Sequence, residues 1–379
     1  MISSPRTKRP RVVLLAQTPP PYHGQAVVQG YLVAESWTWC QKVHIRMAFS
    51  HSVEDVGRFQ ARKIIELFRI VACLVKERLA GPIDVAYYPP AGSSVSAFVR
   101  DLVILPVLLM LGKRVVLHYH SGGSRRLLDR MPRPVRALAR WLYAKVDLGV
   151  VLAPSLVADT FGVRRENIII VPNGVEEPPG VSFGGAGKST RALYVGTLMP
   201  EKGVLDLLGG LHEARSRGAT IALDLVGGFV SERFRLECGL AIERLGLRDC
   251  VRLHGVLVGG EKWELYRGAG MFVFPSYAQE NQPVVLIEAM MWGLPIVATR
   301  WRAIPEMVTD ANEAFLVQPR DVGAIGDRLV RLGSEGALRS RMGLAARRRY
   351  EEEYSLPRHL DRMAAALRDV SGTIEVSLR

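Results

Sequence analysis

Short apolar runs rich in β-branched residues alternate with longer helical patterns along most of the 379 residues. This alternation is typical of parallel sheets covered by helices, because parallel strands need long crossover connections. A first series predicts strands at 11–16, 43–48, 85–88, 114–119, 148–152 and 168–171. A second series predicts strands at 192–195, 222–226, 251–253, 271–274, 295–298 and 314–317. The sequence therefore predicts an α/β chain with two doubly wound sheets.

A stretch rich in Pro, Gly and Ser separates the two series. We predict a Rossmann-like domain at 1–175, a linker at 176–190 and a second Rossmann-like domain at 191–345. Ligands of open α/β sheets bind beyond the carboxyl ends of the strands. We therefore expect both domains to present their functional loops to a cleft.

Membrane-spanning and secreted classes are disfavoured. The longest apolar run, 102–111, is interrupted by Pro106 and is about half of the roughly 20 residues that a bilayer span needs, so it predicts a buried helix. Residues 1–11 are basic and polar, without the pattern of a cleaved signal. The four cysteines form no metal or disulfide pattern. We expect a cytoplasmic chain with reduced cysteines.

The positive charge lies in the first half. Residues 1–175 hold 24 Lys and Arg against 11 Asp and Glu, and residues 176–379 hold 26 of each, so the first half carries the whole net charge of +13. A basic half suits an anionic membrane, an acidic substrate or nucleic acid. No nucleic-acid-binding signature accompanies it. We favour a membrane surface or an anionic acceptor over solubilising charge, and expect no nucleic acid.

The strongest motif is FPSYAQENQPVVLIEAMMWGLPIVAT at 274–299. It predicts a strand, a loop with Glu280 in front of a helix, and Glu288 inside that helix. The unpaired N–H groups of a helix N-terminus form a ready anion site. The alternative is that Glu280 merely caps the helix and Glu288 faces solvent. An unpaired carboxylate in such an apolar helix would be costly, however.

These residues resemble the donor-binding motif of the retaining GT-B glycosyltransferases of family 4, the glycosyl transferases group 1. The resemblance extends to YVGTLMPEKG at 194–203, VPNGV at 171–175, HYHSGG at 118–123 and the proline-glycine loop at 18–25. Residues 350–370 resemble the family's last helix, so we expect 346–379 to cross back onto the first domain. The resemblance implies a GT-B fold and transfer of a sugar from a nucleoside-diphosphate donor.

The resemblance also implies roles for the motif residues. Glu280 would contact the donor sugar and Glu288 the ribose hydroxyls. The loop of Asn281 and Gln282 would hold the diphosphate and sugar. Lys202, just before a predicted helix, would stabilise the negative charge on the departing diphosphate.

Two residues of the first domain complete this set. Gly24 would let its loop approach the phosphates closely, although His23 stands where the family pairs a second glycine. His120 matches the family histidine that faces sugar and acceptor, with a buried hydrogen-bonding role as the alternative. We expect His118 to point away from it.

The chain departs from the family pattern at two donor positions. The family has an arginine after the glycine that stands here as Gly196, whereas this chain has Thr197. Arg300 or Arg302 could supply the missing charge. Asn281 replaces a usual glycine, which leaves the identity of the donor open.

No Asp-x-Asp occurs in the sequence, so we expect a reaction without metal or other cofactor. With no carboxylate nucleophile evident, we expect a retaining front-face route in which a leaving phosphate oxygen accepts the proton of the acceptor.

Arg133, Arg136 and Arg140 stand at helical spacing beside apolar residues and predict a basic amphipathic helix. This pattern favours a glycan or polyprenyl-linked acceptor and a peripheral position on the inner face of the cell membrane. A plain solvated helix is the alternative.

Three functions compete. The first is a glycosyltransferase of surface polysaccharide biosynthesis, which we favour. The second is a sugar-nucleotide epimerase of the same fold. The third is a degenerate homologue that acts as a binding or scaffold subunit, for which Thr197 and Asn281 are the only hints.

Overall fold

A computed structural model describes residues 9–20, 24–49, 61–90, 92, 94–120, 122–181 and 189–372. His23, residues 182–188 of the predicted linker, and the termini at 1–8 and 373–379 lie outside the described residues. The chain divides into two compact units, one formed by Met1–Asn173 with His359–Arg379 and the other by Gly174–Arg358.

The first unit is built on a parallel sheet in the order β2-β1-β3-β4-β5-β6. Its elements are β1 (Arg11–Ala16), α1 (Gly24–Ala34), β2 (Gln41–Arg46), α2 (Ala61–Ala80), β3 (Ile83–Tyr88), α3 (Val95–Leu111), β4 (Gly112–Tyr119), α4 (Ser124–Asp129), α5 (Arg133–Tyr143), β5 (Leu148–Val151) and β6 (Ile168–Ile170). The chain runs from β1 to β2 in one direction and from β2 through β5 in the other. Right-handed crossovers therefore place α1 on one face and α2, α3 and α5 on the opposite face.

Buried hydrogen bonds agree with this assignment of faces. The hydroxyl of Tyr88 on β3 donates to Asp101 of α3 at 2.6 Å, and Tyr143 of α5 donates to the same carboxylate at 3.0 Å. The preceding residue, Tyr87, joins the core cluster on the other face, which includes Leu32 of α1. The layer of α2, α3 and α5 thus covers the Tyr88 side of the sheet.

The second unit is built on a parallel sheet in the order β12-β11-β10-β7-β8-β9. Its elements are β7 (Ala192–Val195), α6 (Val204–Ser216), β8 (Leu223–Val226), α7 (Glu232–Arg244), β9 (Val251–Gly255), α8 (Gly259–Gly268), β10 (Met271–Phe274), α9 (Val284–Met291), β11 (Ile296–Thr299), α10 (Ile304–Met307), β12 (Ala314–Val317), α11 (Val322–Ser334) and α12 (Gly336–Arg349). The strand order reverses between β7 and β10. Ligands of such sheets bind at this switch point.

The two sheets confirm the predicted α/β class, and each of the twelve predicted strands is present with ends shifted by at most two residues. The helix predicted from the run at 102–111 begins earlier, at Val95, and is only partly buried, because Val103 and Met110 face solvent.

The last helix, α13 (Leu356–Val370), begins in the second unit and continues in the first. The boundaries of the units therefore differ from those predicted. Val175 lies in the second unit because its N–H donates to the Tyr354 carbonyl at 3.0 Å. Residues 346–358 also stay there, since Ala346 and Tyr350 pack in its core. The return to the first unit starts at His359.

Candidate active site

The loops that follow β7 and β10 meet at the switch point of the second sheet. β7 and β10 are neighbours, with Ala192 opposite Met271 and Leu193 opposite Phe272. Each strand ends in a loop that leads to a helix, which is α6 after β7 and α9 after β10. The residues of the second unit that were predicted to bind the donor lie on these two loops and on α9.

A close backbone approach joins the two loops. Gly203 has φ +71°, and a Cβ there would lie 2.3 Å from the carbonyl oxygen of Pro275, so only glycine fits. The N–H of Tyr277 donates to the carbonyl of Glu201 at 2.8 Å. These contacts hold Lys202, between Glu201 and Gly203, against the end of β10.

Lys202 and Glu280 form a largely buried ion pair, with side chains 19% and 11% exposed. Oε1 of Glu280 accepts from Lys202 Nζ and, at 2.7 Å, from the hydroxyl of buried Ser276. The ammonium also lies 5.1 Å from the centre of the Phe274 ring. Removing either charge would leave its partner buried and unpaired, which costs about 3–5 kcal/mol in comparable pairs.

Glu288 lies on α9 with both carboxylate oxygens bonded to α8. Oε1 accepts from Lys262 Nζ and Oε2 from the Tyr266 hydroxyl, each at 2.8 Å. Burial, and secondarily the Glu288 carboxylate, raise the pKa of Tyr266 well above its usual range, so the hydroxyl keeps its proton and donates. The carboxylate is thus fixed in position, and each of its oxygens still has a lone pair for a ligand hydroxyl.

The loop after β11 adds a second cation. Arg302 has φ +50°, uncommon for a residue with a side chain, and its Nε donates to the Glu280 carbonyl at 3.2 Å. Trp301 Nε1 donates to the Ala278 carbonyl at 2.7 Å. Arg300 is instead paired with Asp310 at the surface. Of the two arginines suggested from the sequence, Arg302 is the one bonded to the Glu280 loop.

The other predicted donor residues border these loops. Gly196 directly follows β7, and its carbonyl oxygen would lie 1.9 Å from a Cβ at Gly227. The backbone after β7 therefore packs closely against the backbone after β8, with no room for a side chain at Gly227. Thr197 is exposed, and its carbonyl accepts from Tyr194 at 3.1 Å. Asn281 is half-buried and Gln282 is buried, just before α9.

The predicted residues of the first unit lie at the carboxyl end of its own sheet. Gly24 is exposed and begins α1, after β1, and half-buried His120 directly follows β4. The expectation for His118 is wrong, because its ring lies 4.0 Å from that of His120. Residues two apart on a strand share a face. His118 is fully buried and bonded through Nδ1 to the Tyr87 hydroxyl at 2.9 Å.

The three arginines proposed for the acceptor or membrane lie on α5. Arg133 and Arg140 are exposed, whereas Arg136 is half-buried. The Arg140 guanidinium lies 5.2 Å from the centre of the Phe161 ring. Two of the three predicted charges are therefore exposed on this helix.

Within the described ranges, no three His, Cys, Asp or Glu side chains are grouped so that they could hold a metal ion. The cations nearest to Glu280 and Glu288 are the side chains of Lys202, Lys262 and Arg302. These groups can bind an anion and hydroxyls together, a pattern that suits a phosphorylated sugar compound.

Residues 189–335, which contain all of these loops, match the family model described as glycosyl transferases group 1. Over most of its second unit, the chain is therefore similar to the group 1 glycosyl transferases.

Two curated relatives illustrate this similarity. The chain is 25% identical over 309 residues to the amylovoran biosynthesis glycosyltransferase AmsK of Erwinia amylovora, covering 79% of its own length and 73% of that protein. It is 30% identical over 191 residues to the phosphatidyl-myo-inositol mannosyltransferase of Mycobacterium leprae, covering 48% of this chain. The match spans about half of that second relative, 49% of its length.

A solved structure shares the fold. Alr3699/HepE of Anabaena, solved in complex with UDP and glucose, superposes with a TM-score of 0.68 at 16% identity, over 95% of this chain and 99% of that one. The chain thus has the GT-B fold that the resemblance implies. No helix in the described part of the chain is long and apolar enough to cross a membrane.

Sequence reasoning missed three residues that hold the glutamates. Ser276 stands inside the recognised motif, and its buried hydroxyl bonds to Glu280. Lys262 and Tyr266 reach Glu288 from α8, 26 and 22 residues earlier in the chain. No local sequence pattern predicts the contact between α8 and α9. Ser276, by contrast, could have been predicted from its position in the motif, close to Glu280.

Proposed function

We propose that the protein is a retaining, metal-independent hexosyltransferase of surface polysaccharide biosynthesis, related to the group 1 glycosyl transferases. It would move a sugar from a nucleoside-diphosphate donor to a hydroxyl of a glycan or lipid-linked glycan. The observation that carries this proposal is the cluster of Lys202, Glu280 and Ser276 at the switch point, beside the fixed carboxylate of Glu288. AmsK, named for amylovoran biosynthesis, supports the pathway class, and HepE, solved with UDP and glucose, supports the donor class.

The reaction breaks the bond between C1 of the sugar and the diphosphate oxygen, which keeps the electron pair. Negative charge then develops on the diphosphate, and fixed cations in a water-poor site stabilise it more than they stabilise the donor. Lys202 has three N–H donors, of which one points to Glu280. Arg302 would share this task. It would supply the positive charge that the family's arginine supplies at the position where this chain has Thr197.

The two glutamates would divide the recognition of the donor. Glu280, held by Lys202 and Ser276, would orient the reacting sugar, and Glu288 would accept from the ribose hydroxyls. Gly24 would admit the phosphates to the first loop, and His120 would bond to the sugar or acceptor. The acceptor oxygen would attack C1 from the face that the diphosphate leaves, and its proton would pass to a leaving phosphate oxygen.

A panel of nucleotide sugars tests the proposal. Free nucleoside diphosphate together with a glycosylated acceptor is the expected result. Release of an epimerised sugar nucleotide, or no turnover with any donor, would overturn it. Lys202→Gln and Glu280→Gln should each lower kcat by about 100-fold or more. The double variant removes both charges of the buried pair, so it should regain stability without regaining activity.

We also propose a cytoplasmic enzyme that is peripheral on the inner face of the membrane and meets a polyprenyl-linked acceptor there. The relative from Mycobacterium leprae, whose name specifies phosphatidyl-myo-inositol, supports a lipid acceptor. Transfer to a detergent-solubilised lipid-linked glycan, compared with the free glycan, tests this part.

A further inference from the structure

Helix α2 carries large apolar side chains on the side that faces solvent. Ile65, Phe68 and Leu79 are 71%, 70% and 83% exposed, and Ile64 and Val75 are also exposed. At about 100° per residue, these five positions fall within about 100° of the helix circumference. The core-facing side has its own fully buried Ile and Leu residues, at positions 70 and 74. The helix therefore has more apolar surface than its own unit covers.

Helices α3 and α5 continue this surface. Val95, Val99, Val103 and Met110 form one exposed row along α3, and Leu138 and Trp141 are exposed on α5. α2 packs against α3, and α3 against α5, within the layer that covers one face of the first sheet. We call the exposed apolar side chains of these three helices the apolar face. Contiguous exposed apolar surface of this kind marks a binding site.

The carboxylates of these helices are turned inward. Glu66 is bonded to Arg69 and to a backbone N–H, Glu77 is paired with Arg11, and Asp101 is 1% exposed beneath two tyrosines. α5 contains no acidic residue. Among the described residues of α2, α3 and α5, no carboxylate is exposed. Asp147, which follows α5, lies beside this surface and is paired with Arg114.

Basic side chains surround the apolar face. The Lys145 ammonium lies 3.8 Å from the centre of the Trp141 ring, and Lys113 and Lys145 line a groove of about 400 Å³ with Met110 and Trp141. The exposed cations of these three helices and the segments that follow α3 and α5 are Arg62, Arg69, Lys76, Arg78, Lys113, Arg114, Arg133, Arg140 and Lys145. Three of them are paired with carboxylates, Arg69 with Glu66, Lys113 with Asp84 and Arg114 with Asp147. An apolar centre with a basic border is the composition of an interfacial membrane surface.

We propose that the apolar face of α2, α3 and α5 lies in the headgroup region of an anionic bilayer, with its apolar side chains at the acyl boundary. Charge complementarity favours this partner, since each Lys or Arg near an anionic leaflet attracts it. A symmetric contact with a second copy would set the same basic border against itself. The surface deepens the membrane part of the proposed function and extends it beyond the three arginines of α5 to α2 and α3.

The test uses the full chain and vesicles of equal parts phosphatidylglycerol and phosphatidylcholine, without donor. The variant Ile65→Gln, Phe68→Gln, Leu79→Gln removes apolar side chains at unchanged charge. Its affinity for the vesicles should fall by about tenfold or more, equivalent to about 1.4 kcal/mol. The parent should bind less at high salt and to vesicles of phosphatidylcholine alone.

A matched control changes Leu236, Leu240 and Val258 to Gln, because these are exposed apolar residues of the second unit. It should sediment with vesicles like the parent. Brominated acyl chains should quench parent fluorescence, and Trp141→Phe should reduce that quenching, a readout that does not depend on the triple variant folding.

Three outcomes would overturn the proposal. They are a parent that does not bind anionic vesicles, a triple variant that binds like the parent, and a parent dimer that the triple variant dissociates. Nucleotide-sugar turnover with a soluble acceptor, measured alongside, should be the same in parent and triple variant. A failure of the membrane surface is therefore distinguishable from a failure of the transferase assignment.

Discussion

Replacing Tyr266 by Phe isolates the contact that fixes Glu288. The change removes one hydroxyl and keeps the ring, so the core of the second unit keeps its packing. Tyr266 is fully buried, and its hydroxyl donates to Oε2 of Glu288 at 2.8 Å. The carboxylate would keep Lys262 as its remaining partner.

The expected loss of stability follows from the charge of the hydrogen-bond acceptor, the Glu288 carboxylate. A hydrogen bond to a charged group contributes about 1.5–3 kcal/mol to stability. Each kcal/mol shifts the melting temperature by about 2–4 °C in a domain of 150–250 residues, and the second unit spans Gly174–Arg358. Tyr266→Phe should therefore lower the melting temperature of this unit by about 3–12 °C.

Differential scanning calorimetry measures that shift, and titration calorimetry with UDP, GDP and ADP measures nucleotide affinity. A less firmly held carboxylate should weaken nucleotide binding by about threefold to tenfold, or about 0.7–1.4 kcal/mol. Tyr354→Phe is the matched control, because its buried hydroxyl donates to the neutral carbonyl of Met307 at 3.3 Å. It should give a smaller shift in melting temperature and leave nucleotide affinity unchanged.

Equal shifts of the melting temperature in the two variants would refute the argument from the charge of the hydrogen-bond acceptor. A full melting shift with unchanged nucleotide affinity would refute the ribose role of Glu288 while leaving its structural role intact.

Three further expectations concern catalysis, metal and pH. Glu288→Ala should raise the Kd for the nucleotide by about tenfold, as measured by calorimetry, whereas Glu280→Ala should mainly lower kcat, as measured by initial rates. Unchanged nucleotide affinity in Glu288→Ala would contradict the ribose assignment. Turnover should persist in excess EDTA, and loss that magnesium or manganese restores would contradict a metal-independent reaction. Burial lowers the pKa of His359 from 6.5 to about 4. Between these two pH values the unfolded chain binds a proton that the folded chain does not, so the free energy of unfolding should fall as the pH drops from 6.5 towards 4. The free energy of unfolding should be lower by about 1 kcal/mol near pH 5.5. Urea titrations should show a smaller pH dependence in His359→Asn, whose amide can still donate to the Pro172 carbonyl.

The strands and the donor motif could be predicted from the sequence because both are local. Buried parallel strands are short apolar runs, and their ends shift by a residue or two because turn residues mark them only loosely. Lys202 and Glu280 could be assigned to strand ends, but their ion pair requires β7 and β10 to be neighbours. Strand order is decided by packing of the whole sheet and not by any run of residues.

The exposed faces of α2 and α3 could not be predicted for a related reason. A helix rich in apolar residues is normally interpreted as buried, and the run at 102–111 led to that interpretation. The structure puts α3 in an outer layer and leaves Val99 and Met110 exposed. The contact of Tyr266 with Glu288 likewise arises from the packing of two helices.

The division of the chain has a consequence for how the protein is made. The core of the first unit includes Met363, Ala366 and Leu367 of α13, which emerge from the ribosome only after the whole of Gly174–Arg358. At about 5–20 residues per second, synthesis of that segment takes about 10–40 s. During this interval the first sheet lacks part of one covering layer, while the second unit is continuous and can complete its core. The unit translated first is therefore the last to be finished, and a nascent chain stalled before residue 359 should be protease-sensitive in its N-terminal half.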